Sequence, residues 1–224
     1  MQHRFVIIGY GTMGFAHIKK LTVLGEDIAG IVDIDPIARH EATEAGLHVY
    51  AHLEDALADP TVDVVLVCTP NDVHKSIALA ALAAGKHVVA EKPAMLSVAE
   101  IQEVVAAEAA SGMLFFVHQN RRWDEDYLVM KELYDARSMG DVTHIESRID
   151  GSRGIPGDWR VTRRVAAAYL TFAGGVEAVA ACTTDNYAPG PKFHVKGKRG
   201  TASVDDWAMN GKIVRRGRGP RAGR

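Results

Sequence analysis

Short apolar runs alternate with helical patterns through the first 120 residues of the chain. The apolar runs cover residues 5–8, 28–32, 62–68, 87–90 and 114–117. Continuous apolar runs of this length are typical of strands buried on both faces of a parallel sheet. Because helical segments separate them, the pattern predicts right-handed crossovers and an α/β fold with a doubly wound parallel sheet.

Helix boundaries are marked by capping residues in two of the intervening segments. Asn71 is a candidate cap for a helix over residues 72–84, and Gly85 is its stop signal. Ser97 and Glu100 have the spacing of a capping box, which predicts a second helix ending at Gly112.

The pattern changes after Val117. An amphipathic helix is predicted over residues 124–137 and is followed by alternating strands. These strands are expected near residues 142–149, 166–172, 176–184, 192–196 and 201–204. This second pattern is typical of an α+β domain. We therefore expect a first α/β domain over 1–120 and a smaller, incomplete α+β domain over 121–224, with the boundary near residues 118–124.

Composition and charge narrow the class of protein. The chain has 224 residues, 47% of them hydrophobic and 24% charged, which is typical of a globular protein and excludes disorder and collagen. Two cysteines without metal-ligand or CxxC spacing indicate a reducing, cytoplasmic compartment and no metal site. The apolar run near the amino terminus is too short for a signal peptide or a membrane span, so neither export nor membrane insertion is expected.

The net charge of −2 hides an uneven distribution. Residues 1–120 carry 7 basic and 15 acidic side chains, whereas residues 121–224 carry 19 and 13. Five arginines lie in the last ten residues, so a frayed tail over 215–224 explains most of the surplus. Nucleic-acid binding by this tail is the weakest alternative, because no aromatic side chain interleaves with its arginines.

A glycine-rich turn, GYGTMG over residues 9–14, follows the first strand and opens a helix. In that context Gly9 permits a tight turn, Gly11 lets the backbone approach a pyrophosphate and Gly14 lets helix and strand pack closely. Thr12 and Met13 lie between them at the helix N-terminus, where phosphates bind. A tight turn that binds nothing is the alternative.

Asp33 ends the second predicted strand, 19 residues after Gly14. An acid in this place accepts hydrogen bonds from the adenosine ribose and repels a ribose phosphate, which favours NAD over NADP. Arg39 leaves NADP possible. The alternative for Asp33 is a solvated cap of the helix that begins at Pro36.

Two further groups follow strands of the predicted sheet. Thr69-Pro70-Asn71 comes after one strand, with His74 one turn into the next helix, and Glu91-Lys92-Pro93 comes after another. These are carboxyl edges, where ligands of open α/β sheets bind. Lys92 is a candidate for acid–base work, because an apolar cleft and a cationic nicotinamide favour its neutral form. A solvated lysine and a hydrogen-bonding structural histidine are the alternatives.

Together GYGTMG, Asp33, TPND with His74, EKP and HQNRRWD over 118–124 resemble the Gfo/Idh/MocA oxidoreductases, the family of glucose–fructose oxidoreductase and inositol dehydrogenase. The resemblance covers residues 3–164 well and 165–215 more loosely. It implies a Rossmann domain, an NAD or NADP cofactor and oxidation of a hydroxyl on a sugar, cyclitol or related small molecule.

The resemblance also implies roles for particular residues. Lys92 corresponds to the active-site lysine. The cofactor would be lined by Gly9, Gly11, Thr12, Met13, Gly14, Asp33, Thr69, Pro70, Asn71, His74 and Glu91. The substrate pocket would be bordered by His118, Arg122, Trp123, Trp159 and Arg160. A homo-oligomer is expected on the same ground.

The chain departs from the family pattern after Arg160. Family members continue into a helix with a D-x-G-x-H-type motif that faces the substrate, whereas here Arg164 runs directly into an apolar strand. By the resemblance, family members are also expected to continue beyond the Arg/Gly-rich residues 215–219. We expect a true deletion after Arg164, and the alternative is a disordered segment that the numbering omits. The alternative to an active dehydrogenase is a catalytically weak or inactive dinucleotide-binding or ligand-sensing protein of the same fold.

Overall fold

A computed structural model describes residues 2–150, 165–183 and 190–215. The chain divides into two compact units, Met1–Gln119 and Asn120–Arg224. Each unit has one sheet and its own apolar core. No helix in the described ranges is long and apolar enough to cross a lipid bilayer.

The first unit is a five-stranded parallel sheet with intervening helices, which confirms the predicted α/β fold. The strands are β1 (Arg4–Ile8), β2 (Asp27–Val32), β3 (Val64–Val67), β4 (His87–Ala90) and β5 (Phe115–Val117), and their order in the sheet is β2-β1-β3-β4-β5. The helices are α1 (Thr12–Val23), α2 (Pro36–Glu44), α3 (Leu53–Ala58), α4 (His74–Ala83) and α5 (Val98–Ser111). A single parallel bridge, Ile31 to Val49, extends the sheet beyond β2.

The continuous apolar runs are explained by burial on both faces of this sheet. Along β1, Val6 and Ile8 belong to one core cluster and Ile7 to the other, because successive side chains of a strand point to opposite faces. Full burial of such a side chain contributes roughly 1.5–3 kcal/mol. The sheet is therefore held between two apolar layers.

The predicted helix boundaries are confirmed for α5 and corrected for α4. Ser97 Oγ accepts from the Glu100 amide at the start of α5, and Gly112 ends it in the left-handed conformation at φ +70°. Residues Asn71–Val73 instead form a 3-10 turn, and α4 begins at His74 without a side-chain cap. The tighter turn is a common way to begin a helix, since its i→i+3 bonds occupy amides that lack helical partners.

Among its described residues, the second unit has one α-helix, α6 (Glu125–Asp135), and a mixed six-stranded sheet. Its strands are β6 (Val142–Asp150), β7 (Val165–Thr171), β8 (Glu177–Thr183), β9 (Phe193–Gly197), β10 (Gly200–Val204) and β11 (Gly211–Arg215), in the order β11-β10-β9-β6-β8-β7. The β6–β8 pair is parallel and the other pairs are antiparallel. Met130 of α6 packs with Val195 and Val204 in the core of this unit.

Strand β11 was not predicted. Its residues pair along their full length with β10, from Gly200–Arg215 to Val204–Gly211. Arg215, assigned above to a frayed tail, is the last residue of this strand. The signal was the β-branched pair Ile213-Val214 beside Lys212, in a strand at the sheet edge whose residues are all exposed.

Candidate functional site

The glycine-rich turn joins β1 to α1 at the carboxyl edge of the parallel sheet. Gly9 has φ +96°, and a Cβ there would lie 2.9 Å from the Cys68 carbonyl oxygen. A Cβ on Gly14 would lie 2.0 Å from the Gly9 carbonyl oxygen. Any side chain at position 9 or 14 would clash with these backbone atoms, so both positions require glycine. Gly11 differs, because a Cβ there would meet nothing within 4 Å.

The start of α1 presents free amide donors beside that open space. Gly11 is the N-cap, no side chain caps the helix and no acidic side chain lies in the first turn. The amides of Thr12 and Met13 consequently have no side-chain acceptor in the described structure. Free amides and the positive end of the helix dipole together fit a phosphate group.

Asp33 lies directly after β2 and is tied to the glycine-rich turn. Its Oδ2 accepts from the Tyr10 amide at 2.6 Å and its Oδ1 from the Asp35 amide at 2.8 Å. The cap of α2 is Asp35, whose carboxylate accepts from the Ile37 amide, so the interpretation of Asp33 as that cap is wrong. Arg39 donates to the carbonyls of Asp33 and Ala51. A carboxylate has about four lone-pair positions, so Asp33 can accept further hydrogen bonds.

Thr69-Pro70-Asn71 follows β3 at the same edge of the sheet. The Thr69 hydroxyl is buried and has no hydrogen-bond partner among the described residues. A buried hydroxyl without a partner carries a free-energy cost of about 1–3 kcal/mol. A ligand bound at this edge would remove that cost.

His74 lies beneath the edge and contacts backbone only. Its ring is fully buried, with Nε2 2.9 Å from the Thr69 carbonyl oxygen and Nδ1 3.1 Å from that of Pro93. The ring has no exposed surface, and its contacts join the loop after β3 to the loop after β4. Its predicted place beside the cofactor stays a prediction.

Glu91 follows β4 and turns inward between two histidines. Its Oε1 lies 2.7 Å from His17 Nε2 and 3.0 Å from His118 Nδ1, and its Oε2 accepts from the Lys92 amide at 3.1 Å. The side chains of His17 and Glu91 are 7% exposed and that of His118 is 25% exposed. His17, on α1, was not among the residues predicted from sequence.

The charge states of this cluster follow from burial and hydrogen bonding. Burial lowers the pKa of His17, although the hydrogen bond with Glu91 opposes the shift. Burial acts to raise the pKa of Glu91, but the hydrogen bonds from His17 and the Lys92 amide outweigh it and hold the pKa of this carboxyl below its usual range. At neutral pH the cluster therefore has an ionised carboxylate beside a neutral His17 ring.

Lys92 lies two residues beyond the end of β4, and its side chain is exposed. The expectation of an apolar cleft around it is thus not met within the first unit, because Glu91 is the side chain that turns inward. The carboxyl ends of β1, β3 and β4 share one edge, so the glycine-rich turn, Thr69 and Lys92 all follow strands at that edge.

Comparison with known proteins identifies the family. A model described as an oxidoreductase family with an NAD-binding Rossmann fold matches residues 3–119. The chain belongs to the Gfo/Idh/MocA oxidoreductases. This family carries a dinucleotide-binding Rossmann fold, in agreement with the resemblance drawn from the motifs.

Individual relatives agree with this assignment. The uncharacterized oxidoreductase YdgJ of Escherichia coli is 34% identical over 160 residues, which are 70% of this chain and 46% of the relative. Inositol 2-dehydrogenase 1 of Saccharopolyspora erythraea is 37% identical over 147 residues, or 63% and 44% of the two chains. The chain thus spans less than half the length of these curated relatives.

A solved structure covers more of the chain. An NAD-binding protein from Listeria innocua superimposes with a TM-score of 0.88 at 34% identity, covering 96% of this chain and 77% of that one. The likeness therefore extends through both units of this Gfo/Idh/MocA protein.

The structure describes some of the residues predicted to border the substrate and leaves others out. Arg122 and Trp123 lie in a 3-10 turn, Asn120–Trp123, at the start of the second unit, and Trp123 is 71% exposed. Trp159, Arg160 and the junction after Arg164 lie outside the described residues. His118, a member of this group in the first unit, lies in the cluster at the sheet edge.

Proposed function

We propose that this chain is an NAD(P)-dependent oxidoreductase that moves a hydride between a nicotinamide cofactor and a hydroxyl of a sugar, cyclitol or related polyol. The observation that supports it most strongly is the uncapped start of α1 beside the open face of Gly11. Inositol dehydrogenases among the relatives support the substrate class.

The residues at the sheet edge fit a dinucleotide. The amides of Thr12 and Met13 would bind the pyrophosphate, and the free acceptor positions of Asp33 would take the adenosine ribose hydroxyls. The Thr69 hydroxyl has no partner among the described residues. Together with Pro70 and Asn71, it would contact the nicotinamide half of the dinucleotide. A carboxylate beside the ribose repels a ribose phosphate, so NAD is expected to bind more tightly than NADP.

Lys92 would move the substrate proton. A bound nicotinamide would supply the hydride acceptor for the carbon that carries the hydroxyl. The Lys92 amine would take the hydroxyl proton at Nζ, and the same lysine would return it in the reverse direction. The backbone of Lys92 is held by Glu91, which fixes the point from which the side chain extends. The second unit, with Arg122 and Trp123, would supply the substrate and oligomer contacts.

A second candidate is a dinucleotide-binding protein with little or no turnover. It is favoured by the sequence after Arg160, where residues 161–224 contain no D-x-G-x-H-type motif to assist Lys92. In that case the first unit would bind the dinucleotide without passing a hydride to or from a polyol.

One pair of measurements separates these candidates. NADH and NADPH are titrated by their fluorescence, and NAD reduction is then followed by absorbance over a panel of polyols and aldoses. We expect tighter binding of the non-phosphorylated dinucleotide and reduction with one class of polyol. Binding without reduction would favour the second candidate, and equal or tighter NADPH binding would contradict the role of Asp33. Absence of binding would overturn both.

A further inference from the structure

We propose that His17, Glu91 and His118 form a binding site for one divalent transition-metal ion of the zinc, cobalt or nickel type. The three side chains come from α1, from the loop after β4 and from the residue after β5. The inference concerns metal binding by the first unit and does not rest on the proposed dehydrogenase activity.

The ligand atoms converge on one point. One nitrogen of each histidine and one oxygen of Glu91 all lie within 4.8 Å of one another. Both nitrogens face the same carboxylate oxygen, and the rings meet edge to face with centroids 4.7 Å apart. Two imidazoles and one carboxylate form a donor set that first-row transition metals accept.

Little movement is needed to admit an ion. Zinc bonds to nitrogen and carboxylate oxygen at about 2.0–2.2 Å in tetrahedral geometry, which places ligand atoms roughly 3.4 Å apart. The observed N···O distances are 2.7 and 3.0 Å, so they must widen by about 0.7 and 0.4 Å. Small side-chain rotations supply that change.

The carboxylate is also oriented by the backbone. Glu91 Oε2 accepts from the Lys92 amide, which leaves Oε1 directed at the two rings. Hydrogen bonds of this kind to a ligand's second atom are typical of metal sites and fix the ligand before the ion arrives.

Burial and charge favour a cation in the same place. His17 and Glu91 are almost fully buried, whereas the more exposed His118 gives access from solvent. The Glu91 carboxylate is buried between the two rings, and a divalent ion bound there would offset its negative charge. Three protein ligands leave a fourth position open for water, as in zinc sites that are not purely structural.

The test is direct metal binding by the tag-free chain without dinucleotide. Co²⁺ is titrated by its visible absorption and Zn²⁺ by calorimetry, with Mg²⁺ as the ion that nitrogen ligands do not favour. We expect one Co²⁺ or Zn²⁺ per chain, and affinity lowered by about tenfold or more in His118→Ala. His17→Gln should have the same effect. His40→Ala removes an exposed histidine of α2 and should change nothing.

The outcomes separate clearly. Failure of the wild-type chain to bind one equivalent of Co²⁺ or Zn²⁺ would overturn the proposal and leave the cluster as a hydrogen-bond network. Unchanged affinity in His118→Ala would overturn it as well. His118 is partly exposed, so this variant remains decisive even where the substitution of buried His17 prevents folding. Dinucleotide binding is measured separately and has no bearing on either result.

Discussion

Replacing Lys92 with methionine should lower the rate of NAD reduction by about 10²–10⁴-fold, the usual contribution of a general acid–base group. Methionine keeps an unbranched apolar side chain but has no group that can take a proton. The backbone amide of Lys92 and its bond to Glu91 are retained in this variant. Dinucleotide affinity should therefore change by no more than a few-fold. The measurement is the reduction rate with the polyol that the wild-type chain oxidises fastest.

A matched control comes from Lys75 on α4, which pairs with Glu103 near the surface. Lys75→Met removes the same charge from a residue outside the proposed site and should leave the rate unchanged. If the two variants lose equal activity, the loss reflects net charge or stability. The proposed role of Lys92 would then be wrong.

Substituting Gly11 with valine should weaken NADH binding by about tenfold or more, which corresponds to about 1.4 kcal/mol. The new side chain would occupy the open space through which a pyrophosphate approaches the α1 amides. Stability should change little, because Gly11 has φ −74° and ψ −166°, a conformation open to any residue. Binding is measured by NADH fluorescence and stability by thermal unfolding.

Gly25, at the other end of α1, provides a control in which stability should change and dinucleotide binding should not. It also faces open space, but its φ of +79° strains any other residue. Gly25→Ala should lower the free energy of unfolding by about 1 kcal/mol and leave NADH affinity intact. Loss of affinity in this variant and not in Gly11→Val would place the dinucleotide elsewhere.

Much of the first unit could be predicted because its signals are local. The apolar runs of β1 to β5 and the capping residues of α5 depend on neighbours within a few positions. The glycine-rich turn is equally local: Gly9 and Gly14 meet backbone atoms that any β-turn-α unit of this type brings close. These features were therefore readable without knowledge of the tertiary structure.

The cluster around Glu91 could not be predicted in this way. His17 and Glu91 are 74 residues apart and His118 is 27 residues beyond Glu91, so no spacing rule links them. The same holds for His74, whose ring contacts carbonyl oxygens of two separate loops. Tertiary packing decided which of the polar residues at the sheet edge turn inward and which, like Lys92, face solvent.

The most direct test of the account is the mapping of NADH binding on the backbone amides by nuclear magnetic resonance. Since the pyrophosphate is assigned to the uncapped start of α1, the largest chemical-shift changes should fall on Gly11, Thr12 and Met13, with further changes near Asp33. Saturating NADH that leaves these amides unshifted, or that shifts mainly residues away from the carboxyl edge of the sheet, would contradict the account.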